Sequence, residues 1–167
     1  MTDTTRSQQP GTTMETAEKE IKGFSISAAM PARDTEFGER VQRRLREERV
    51  IWLTAVGEDG TPQPNPVWFW WDGSSFLVYN WDRSRRLDHI RRNPRVSLHF
   101  NADAAGHDVL VVVGHAEVLA DAPLPHEMPG YREKYADAMV ALAGSQEAYG
   151  KSHAVAVRVH PERVRGR

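Results

Sequence analysis

The chain has 167 residues, a formal net charge of −1 and 40% hydrophobic residues, which fits a single globular domain. It contains no cysteine, which excludes thiol catalysis, thiolate metal sites and disulfide bonds. The near-neutral charge argues against a dedicated nucleic-acid-binding protein, and no apolar run approaches the ~20 residues of a membrane span. These features predict a cytoplasmic protein that acts without nucleic acid or membrane.

Residues 1–23 are rich in Thr, Gln, Glu and Lys and nearly empty of large apolar side chains. Such a segment cannot build a core, so it is predicted to be a flexible tail. The short stretch 24–35 is predicted to be an arm or linker. Residues 36–167 then form the folded domain.

From Glu36 onwards the sequence alternates between helix and strand patterns. Asp34 and Thr35 can cap the first helix, and an Asn-Pro pair stops the second, because a residue before proline disfavours the helical conformation. The predicted elements are a helix from 36, a strand over 49–56, a turn over 57–64, strands over 65–71 and 74–80, a helix over 83–92, strands over 95–100 and 108–120, a helix over 129–143 and a strand over 153–159. This order indicates a mainly β fold with a few helices.

Both faces of the predicted sheet carry apolar side chains. Ile51 and Leu53 alternate with Trp52, and Phe69 alternates with Trp70. In an antiparallel sheet with one solvent-exposed face, apolar and polar residues would instead alternate along each strand. Three modest helices cannot cover both faces, so the remaining cover is a second copy of the chain, a ligand or both. The pattern therefore predicts a compact β-barrel that forms a homodimer through its outer face.

The motifs of several common catalytic sites are absent. The sequence has no G-x-G-x-x-G, no G-x-x-x-x-G-K-[ST] and no G-x-S-x-G. Its seven histidines never occur as H-x-x-x-H or H-x-H, so no metal site is predicted. His115 and Glu117 share one strand face, which we interpret as a pair at the barrel rim. No catalytic residue is assigned from the sequence.

Tryptophans are concentrated in one part of the chain. All five, Trp52, Trp68, Trp70, Trp71 and Trp81, fall within thirty residues. The first two are expected to pack in the core or a dimer interface. The other three lie at strand ends beside an arginine-rich segment, where they could form a flat apolar slot for an aromatic ring.

That arginine-rich segment, residues 83–95, holds six arginines and a single acid, Asp88. It has three interpretations: a solvated helix face, a nucleic-acid-binding stripe, or a compact clamp for a phosphate group. The stripe is disfavoured because such proteins carry more positive net charge and a recognisable binding motif.

The clamp is favoured because several signals converge on one place. Ser84 lies at the predicted start of a helix, where free N–H groups and the helix dipole favour an anion. Arg85 and Arg86 would add forked, charge-assisted hydrogen bonds. Tyr79 and Asn80 end the preceding strand and could supply further polar contacts.

The sequence "YNWDRSRRLDHIRRNPRVSL", residues 79–98, resembles the phosphate-binding segment of the pyridoxamine 5′-phosphate oxidase-like flavin proteins. Those proteins have a strand, a Thr-Asn-type turn, Ser-Arg-Lys at a helix start, then Asn-Pro and another strand. Ser84, Arg85 and Arg86 match the Ser-Arg-Lys, and Asn80 takes the place of the polar residue at the strand end. Upstream, "DGTPQPNPVWFWWDGSSFLVY" looks like the preceding hairpin, whose first strand runs along the flavin ring. The resemblance covers residues 36–164.

This resemblance implies an antiparallel split β-barrel of the FMN-binding type with a few flanking helices, and a homodimer with two cofactor sites at its interface. The cofactor-binding residues that it implies are Pro64, Asn65, Pro66, Val67, Trp68 and Phe69 along the ring, and Tyr79, Asn80, Ser84, Arg85 and Arg86 around the phosphate.

The sequence departs from the oxidase itself in two places. Asn65-Pro66-Val67 stands where the oxidase has a second basic pair, and the C-terminal substrate motif with Arg and Trp is absent. The sequence "PVWFWWDG…PRVSLHF" resembles the actinobacterial branch that uses the deazaflavin coenzyme F(420) more closely than it resembles the oxidase.

Three functional hypotheses follow. The first is a reductase that transfers hydride between coenzyme F(420) and a flat conjugated small molecule. The second is an FMN-binding oxidoreductase of the same fold. The third is a non-catalytic module that binds a flavin, haem or nucleic acid.

Overall fold

The computed structural model describes residues 19–21, 24–28 and 30–167 of the chain. Within these residues the chain forms nine strands and four helices. In chain order they are β1 (Lys19–Ile21), β2 (Phe24–Ala28), α1 (Glu36–Glu47), β3 (Ile51–Val56), β4 (Pro62–Val67), β5 (Trp70–Trp71), β6 (Phe76–Asn80), α2 (Arg85–Arg92), β7 (Arg95–His99), β8 (Leu110–Val118), α3 (Pro129–Ala143), α4 (Gln146–Ser152) and β9 (Val155–Gly166).

The strands form one antiparallel sheet that curls into a split barrel. Its main path runs β1-β2-β9-β8-β7-β3-β4, while β6 joins beside β9 and carries β5. Strand β9 is long enough to hold two neighbours on one edge, with β6 along its first half and β2 along its end. The split-barrel fold that the sequence predicted is therefore confirmed.

The predicted tail falls mostly outside the described residues, which omit 1–18 and 22–23. Within it, Lys19–Ile21 forms β1, which pairs with β2. In turn β2, part of the predicted arm, pairs with the end of β9. The flexibility of residues 1–18 stays a prediction.

Helix α1 fills one end of the barrel interior. It begins at Glu36 as predicted, because the Gly38 N–H donates to the Thr35 hydroxyl oxygen at 3.0 Å. Phe37, Val41 and Leu45 recur at the spacing of one helix face and are all buried. They pack into a core with the inward residues of the sheet, which include Ile51, Leu53, Ala55, Val67, Phe69, Val78, Leu98, Val112, Val157 and Val159.

A second apolar cluster covers the outer face of β6. Helices α3 and α4 contribute Tyr131, Tyr135, Met139 and Tyr149, which are all buried. These side chains pack against Leu77 and other β6 residues. Helices α3 and α4 thus cover part of the apolar outer face for which the sequence predicted a partner subunit or a ligand as cover.

Strand β4 differs from the prediction at both ends. The stretch 57–64 was expected to be a turn throughout, but β4 begins at Pro62 and pairs with β3. The prolines are tolerated because β4 is an edge strand. The predicted strand over 65–71 is interrupted after Val67, since the Phe69 N–H donates to the hydroxyl oxygen of Tyr135 rather than to a neighbouring strand.

Strand β9 continues seven residues beyond the predicted end at 159. Pro161 is accommodated within the strand because it lies at a bulge, where the pairing shifts from Gly114↔Pro161 to Val113↔Arg163. Gly114 of β8 lies at this same shift. A Cβ on Gly114 would approach the His160 carbonyl oxygen to 2.0 Å, so the close contact requires glycine.

Helix α4 was not predicted from the sequence. Gly144 ends α3 in the left-handed conformation with φ of 81°, and Ser145 then caps α4 by accepting a hydrogen bond from the Ala148 N–H at 3.0 Å. These two caps are the signal that sequence reasoning missed.

Candidate functional site

The start of α2 lies at the end of β6 and carries the predicted anion clamp. Ser84 has extended backbone angles and its side chain does not cap the helix. The hydroxyl of Ser84 and the first N–H groups of α2 can therefore bond a ligand. Arg85 is exposed to solvent, whereas Arg86 is half-buried.

The Arg86 side chain is held in place by Asn80. Its Nη1 donates to Asn80 Oδ1 at 2.6 Å, while Asn80 Nδ2 donates to the carbonyl oxygens of Val78 and Val155 at 3.2 and 3.4 Å. These bonds fix the amide so that its oxygen faces the guanidinium. Asn80 thus acts as a positioning residue for Arg86.

The remaining donors of Arg86 lack an acidic partner. Its Nε is buried and has no hydrogen-bond partner, and no carboxylate in the described part of the chain forms an ion pair with the guanidinium. Burial lowers the pKa of Arg86, which means that the charged form is poorly solvated. A bound anion would supply the missing partner.

A cavity of about 730 Å³ borders this side chain. Its walls come from the β3–β4 hairpin and from α2, and they comprise Ala55, Gly57, Glu58, Asp59, Gln63, Asn65, Ser84, Arg85, Arg86 and His89. The two acids lie on the hairpin, where Glu58 pairs with Arg92 at 3.7 Å and Asp59 accepts a hydrogen bond from the Thr61 N–H. The cationic side of the cavity is therefore the start of α2.

A second cavity of about 330 Å³ also borders Arg86 and is rich in aromatic side chains. It is lined by Pro66, Val67, Trp68, Tyr79, Asn80, Trp81, Ser84, Arg86, Leu142, Tyr149 and His153. Both cavities thus share Ser84 and Arg86. Together they form a groove between the open edge of β4 and the end of β6, where the barrel is split.

Stacked rings build the wall of the second cavity. Trp68 stacks on Tyr135 and Tyr149, with ring centroids 4.8 and 5.3 Å apart, and Tyr149 stacks on His153 at 4.1 Å. Burial lowers the pKa of His153, which favours its neutral form. Trp81 is 59% exposed and meets His153 edge-on. This wall suits a flat, apolar ring.

The predicted site residues are distributed unevenly around the groove. Most of them line one cavity or both: Asn65, Pro66, Val67, Trp68, Tyr79, Asn80, Ser84, Arg85 and Arg86. Pro64 is exposed on the edge of β4, and Phe69 is fully buried in the core. Neither of these two side chains lines the groove.

Two of the tryptophans proposed for an aromatic slot lie elsewhere. Trp70 and Trp71 line a separate groove beside Lys134 and Gly130. Conversely, Leu142, Tyr149 and His153 were missed by sequence reasoning because they come from the α3–α4 region. His115 and Glu117 do not bond each other: His115 bonds Glu162 and Glu117 bonds His160, both at 2.9 Å across β8 and β9.

In the residues that the structure describes, no group of three or more His, Asp and Glu side chains could hold a metal ion. No helix in the same residues has both the length and the apolar character needed to cross a bilayer.

Comparison with known proteins agrees with this geometry. A family model described as pyridoxamine 5′-phosphate oxidase matches residues 37–167. No curated protein matches the sequence.

Solved structures share the fold at low sequence identity. A conserved hypothetical protein from Mycobacterium tuberculosis aligns with a TM-score of 0.60 and 21% identity, over 82% of this chain and 85% of that one. A proposed pyridoxamine 5′-phosphate oxidase from Listeria innocua aligns with a TM-score of 0.58 and 22% identity, over 77% and 96%. A structure named F(420) reductase aligns with a TM-score of 0.56 and 23% identity, over 73% and 94%. At these identities the likeness establishes the fold alone.

Proposed function

The chain belongs to the pyridoxamine 5′-phosphate oxidase family, and from this premise we propose that it is an oxidoreductase that uses the deazaflavin coenzyme F(420). The reaction is hydride transfer between the coenzyme and a flat, conjugated small molecule. The observation that carries the proposal is the Arg86 guanidinium, which is half-buried beside Ser84 with a buried Nε that lacks a partner. One structure of similar fold is named an F(420) reductase, which supports the choice of coenzyme.

The proposed phosphate ligands are Ser84, Arg85 and Arg86. They fit the group because a phosphate offers several acceptor oxygens to the guanidinium, the hydroxyl and the N–H groups at the start of α2. Asn80 keeps Arg86 in place, and Tyr79 contributes its ring to the second cavity, since its hydroxyl already donates to the Pro123 carbonyl oxygen at 2.6 Å.

The proposed ring site is the edge of β4. Asn65, Pro66, Val67 and Trp68 line the groove, whereas Pro64 and Phe69 would contribute through their backbone only. The substrate would lie over the ring, against the aromatic wall of Trp68 and its neighbours. The absence of a nucleophile motif is consistent with this arrangement, because the bound coenzyme supplies the hydride chemistry and the side chains bind, orient and exclude water.

The same clamp would hold the phosphate of FMN, so an FMN-binding oxidoreductase is the second candidate. The test is to incubate the purified protein with F(420) or with FMN, remove free ligand by desalting, and record the absorbance spectrum. We expect F(420) to be retained and FMN to be lost. Retention of FMN alone would favour the second candidate, and retention of neither would contradict both.

We also expect a homodimer. Trp52 and His99 stack on the outer face of β3 and β7, with ring centroids 6.1 Å apart, and the nearby Val50 is 39% exposed. A partner subunit that covers this face would bury well over ~1,200 Å² in total, the size of a standard interface. Light scattering at micromolar concentration should report twice the chain mass, and a stable monomer would contradict the expectation.

A further inference from the structure

Strand β4 presents an unusual backbone edge to the groove. Its residues alternate between positions 62, 64 and 66, which are all proline, and positions 63, 65 and 67, which are not. The Gly57 N–H donates to the Thr61 carbonyl oxygen at 2.8 Å, and Leu53 is registered opposite Asn65. The odd-numbered positions of β4 therefore make the ladder with β3, as they must, because proline has no N–H to donate.

The even-numbered positions consequently face away from β3, towards the open edge. Within the described residues β4 pairs with no other strand. This edge offers the carbonyl oxygens of Pro62, Pro64 and Pro66, and it has no N–H donor along β4. Prolines on an edge also protect a sheet against strand addition. That role alone does not explain Pro66, because Pro66 lines the second cavity together with Ser84 and Arg86.

Resting on the proposed function, we infer that Pro66 selects the coenzyme by the atom at position 5 of its ring. FMN has a nitrogen lone pair at this position, and a deazaflavin has a C–H group. A ring that reached from the Ser84–Arg86 clamp along the edge of β4 would meet the carbonyl oxygens of the prolines and no backbone N–H donor of this strand. A nitrogen lone pair there would be unsatisfied and would face other lone pairs. A C–H group would make a weak hydrogen bond to the same oxygens.

FMN and 5-deaza-FMN form a matched pair of probes, since they differ only at position 5 and share the phosphate. We expect the wild-type protein to bind 5-deaza-FMN about five- to a hundred-fold more tightly than FMN, the range expected when the bound ring covers one acceptor and leaves it unsatisfied. Dissociation constants from fluorescence titration or equilibrium dialysis give this ratio without any assay of activity.

Two variants restore a donor at the edge. Pro66→Ala and Pro66→Val each add an N–H, and valine also favours the strand conformation, which protects the fold. We expect both to bring the ratio of the two dissociation constants close to one, mainly by tightening FMN. Pro62→Ala is the matched control: it adds an N–H to the same edge but lines neither cavity, so its ratio should remain that of the wild type.

The other outcomes overturn the inference. A wild-type ratio near one does so, and so does a high ratio that both Pro66 variants leave unchanged. Binding of neither probe also overturns it, because the groove then does not take such a ring on this phosphate. The desalting experiment with F(420) decides the proposed function separately, so the two failures can be told apart.

Discussion

Replacing Arg86 by alanine should weaken cofactor binding about ten- to a hundred-fold. The expected loss is ~1.5 to 3 kcal/mol, the contribution of a charge-assisted hydrogen bond. The guanidinium is half-buried, is oriented by Asn80 and has no acidic partner among the described residues, so its binding capacity is available to a ligand. Fluorescence titration with F(420) measures the change. Ser84→Ala should give a smaller loss, because a neutral hydroxyl makes a weaker hydrogen bond than a guanidinium.

Arg92→Ala provides the control for this experiment. Arg92 is the last residue of the same helix, is exposed to solvent, and already pairs with Glu58 at 3.7 Å. Its removal changes the net charge by the same amount as Arg86→Ala but should leave the dissociation constant nearly unchanged. Equal, small losses for the two variants would show that the arginines form a merely basic surface and would contradict the clamp.

The location of the groove follows from the incomplete closure of the barrel. Strand β4 ends one path of the sheet, and β6 belongs to the other side, where it pairs with β9 and β5. The gap between them is bounded by α2, whose Leu87 and Ile90 are buried in the core. Burial of these two side chains fixes the orientation of the helix, so that its first turn faces the gap. The fold therefore places the proposed anion clamp next to the open edge of β4.

Local signals in the sequence were sufficient for much of this architecture. Helix α3 has the predicted bounds, and α1 begins after its Thr35 cap, because caps and apolar spacing act within a few residues. The convergence of Ser84 and Arg86 could be predicted for the same reason, since strand end, turn and helix start are adjacent in sequence.

The features that the sequence did not reveal depend on distant partners. Pro62 was predicted to lie in a turn because the sequence does not show that β4 is an edge strand. The last strand was predicted to end at 159 because the sequence does not show the bulge at Pro161 opposite Gly114. His153 could not be assigned to the groove, because its position depends on the packing of α4 against Trp68. Sequence reasoning therefore predicted the cluster of Ser84, Arg85 and Arg86, but not that Tyr149 and His153 join Trp68 in the aromatic wall beside it.

The hydroxyl group of Tyr135 holds the chain at the break between β4 and β5. It accepts a hydrogen bond from the Phe69 N–H at 3.0 Å and lies 2.8 Å from the carbonyl oxygens of Phe69 and Arg49, so that its single proton is donated to one of them or shared between them. Both Tyr135 and Phe69 are fully buried. Because no strand pairs with the chain at Phe69, these backbone groups depend on the hydroxyl for satisfaction.

Tyr135→Phe should accordingly lower the free energy of unfolding by about 2 to 4 kcal/mol, since it leaves buried backbone groups unpaired. The phenyl ring is retained, so the stack with Trp68 persists and the variant isolates the hydroxyl. Tyr131→Phe is a matched control on the same helix: Tyr131 is equally buried, but its hydroxyl makes only a 3.4 Å contact with that of Tyr149. We expect it to cost less than ~1.5 kcal/mol. Urea denaturation of the two variants gives the comparison, and equal losses would mean that the strand break is held by ring packing rather than by the Tyr135 hydroxyl.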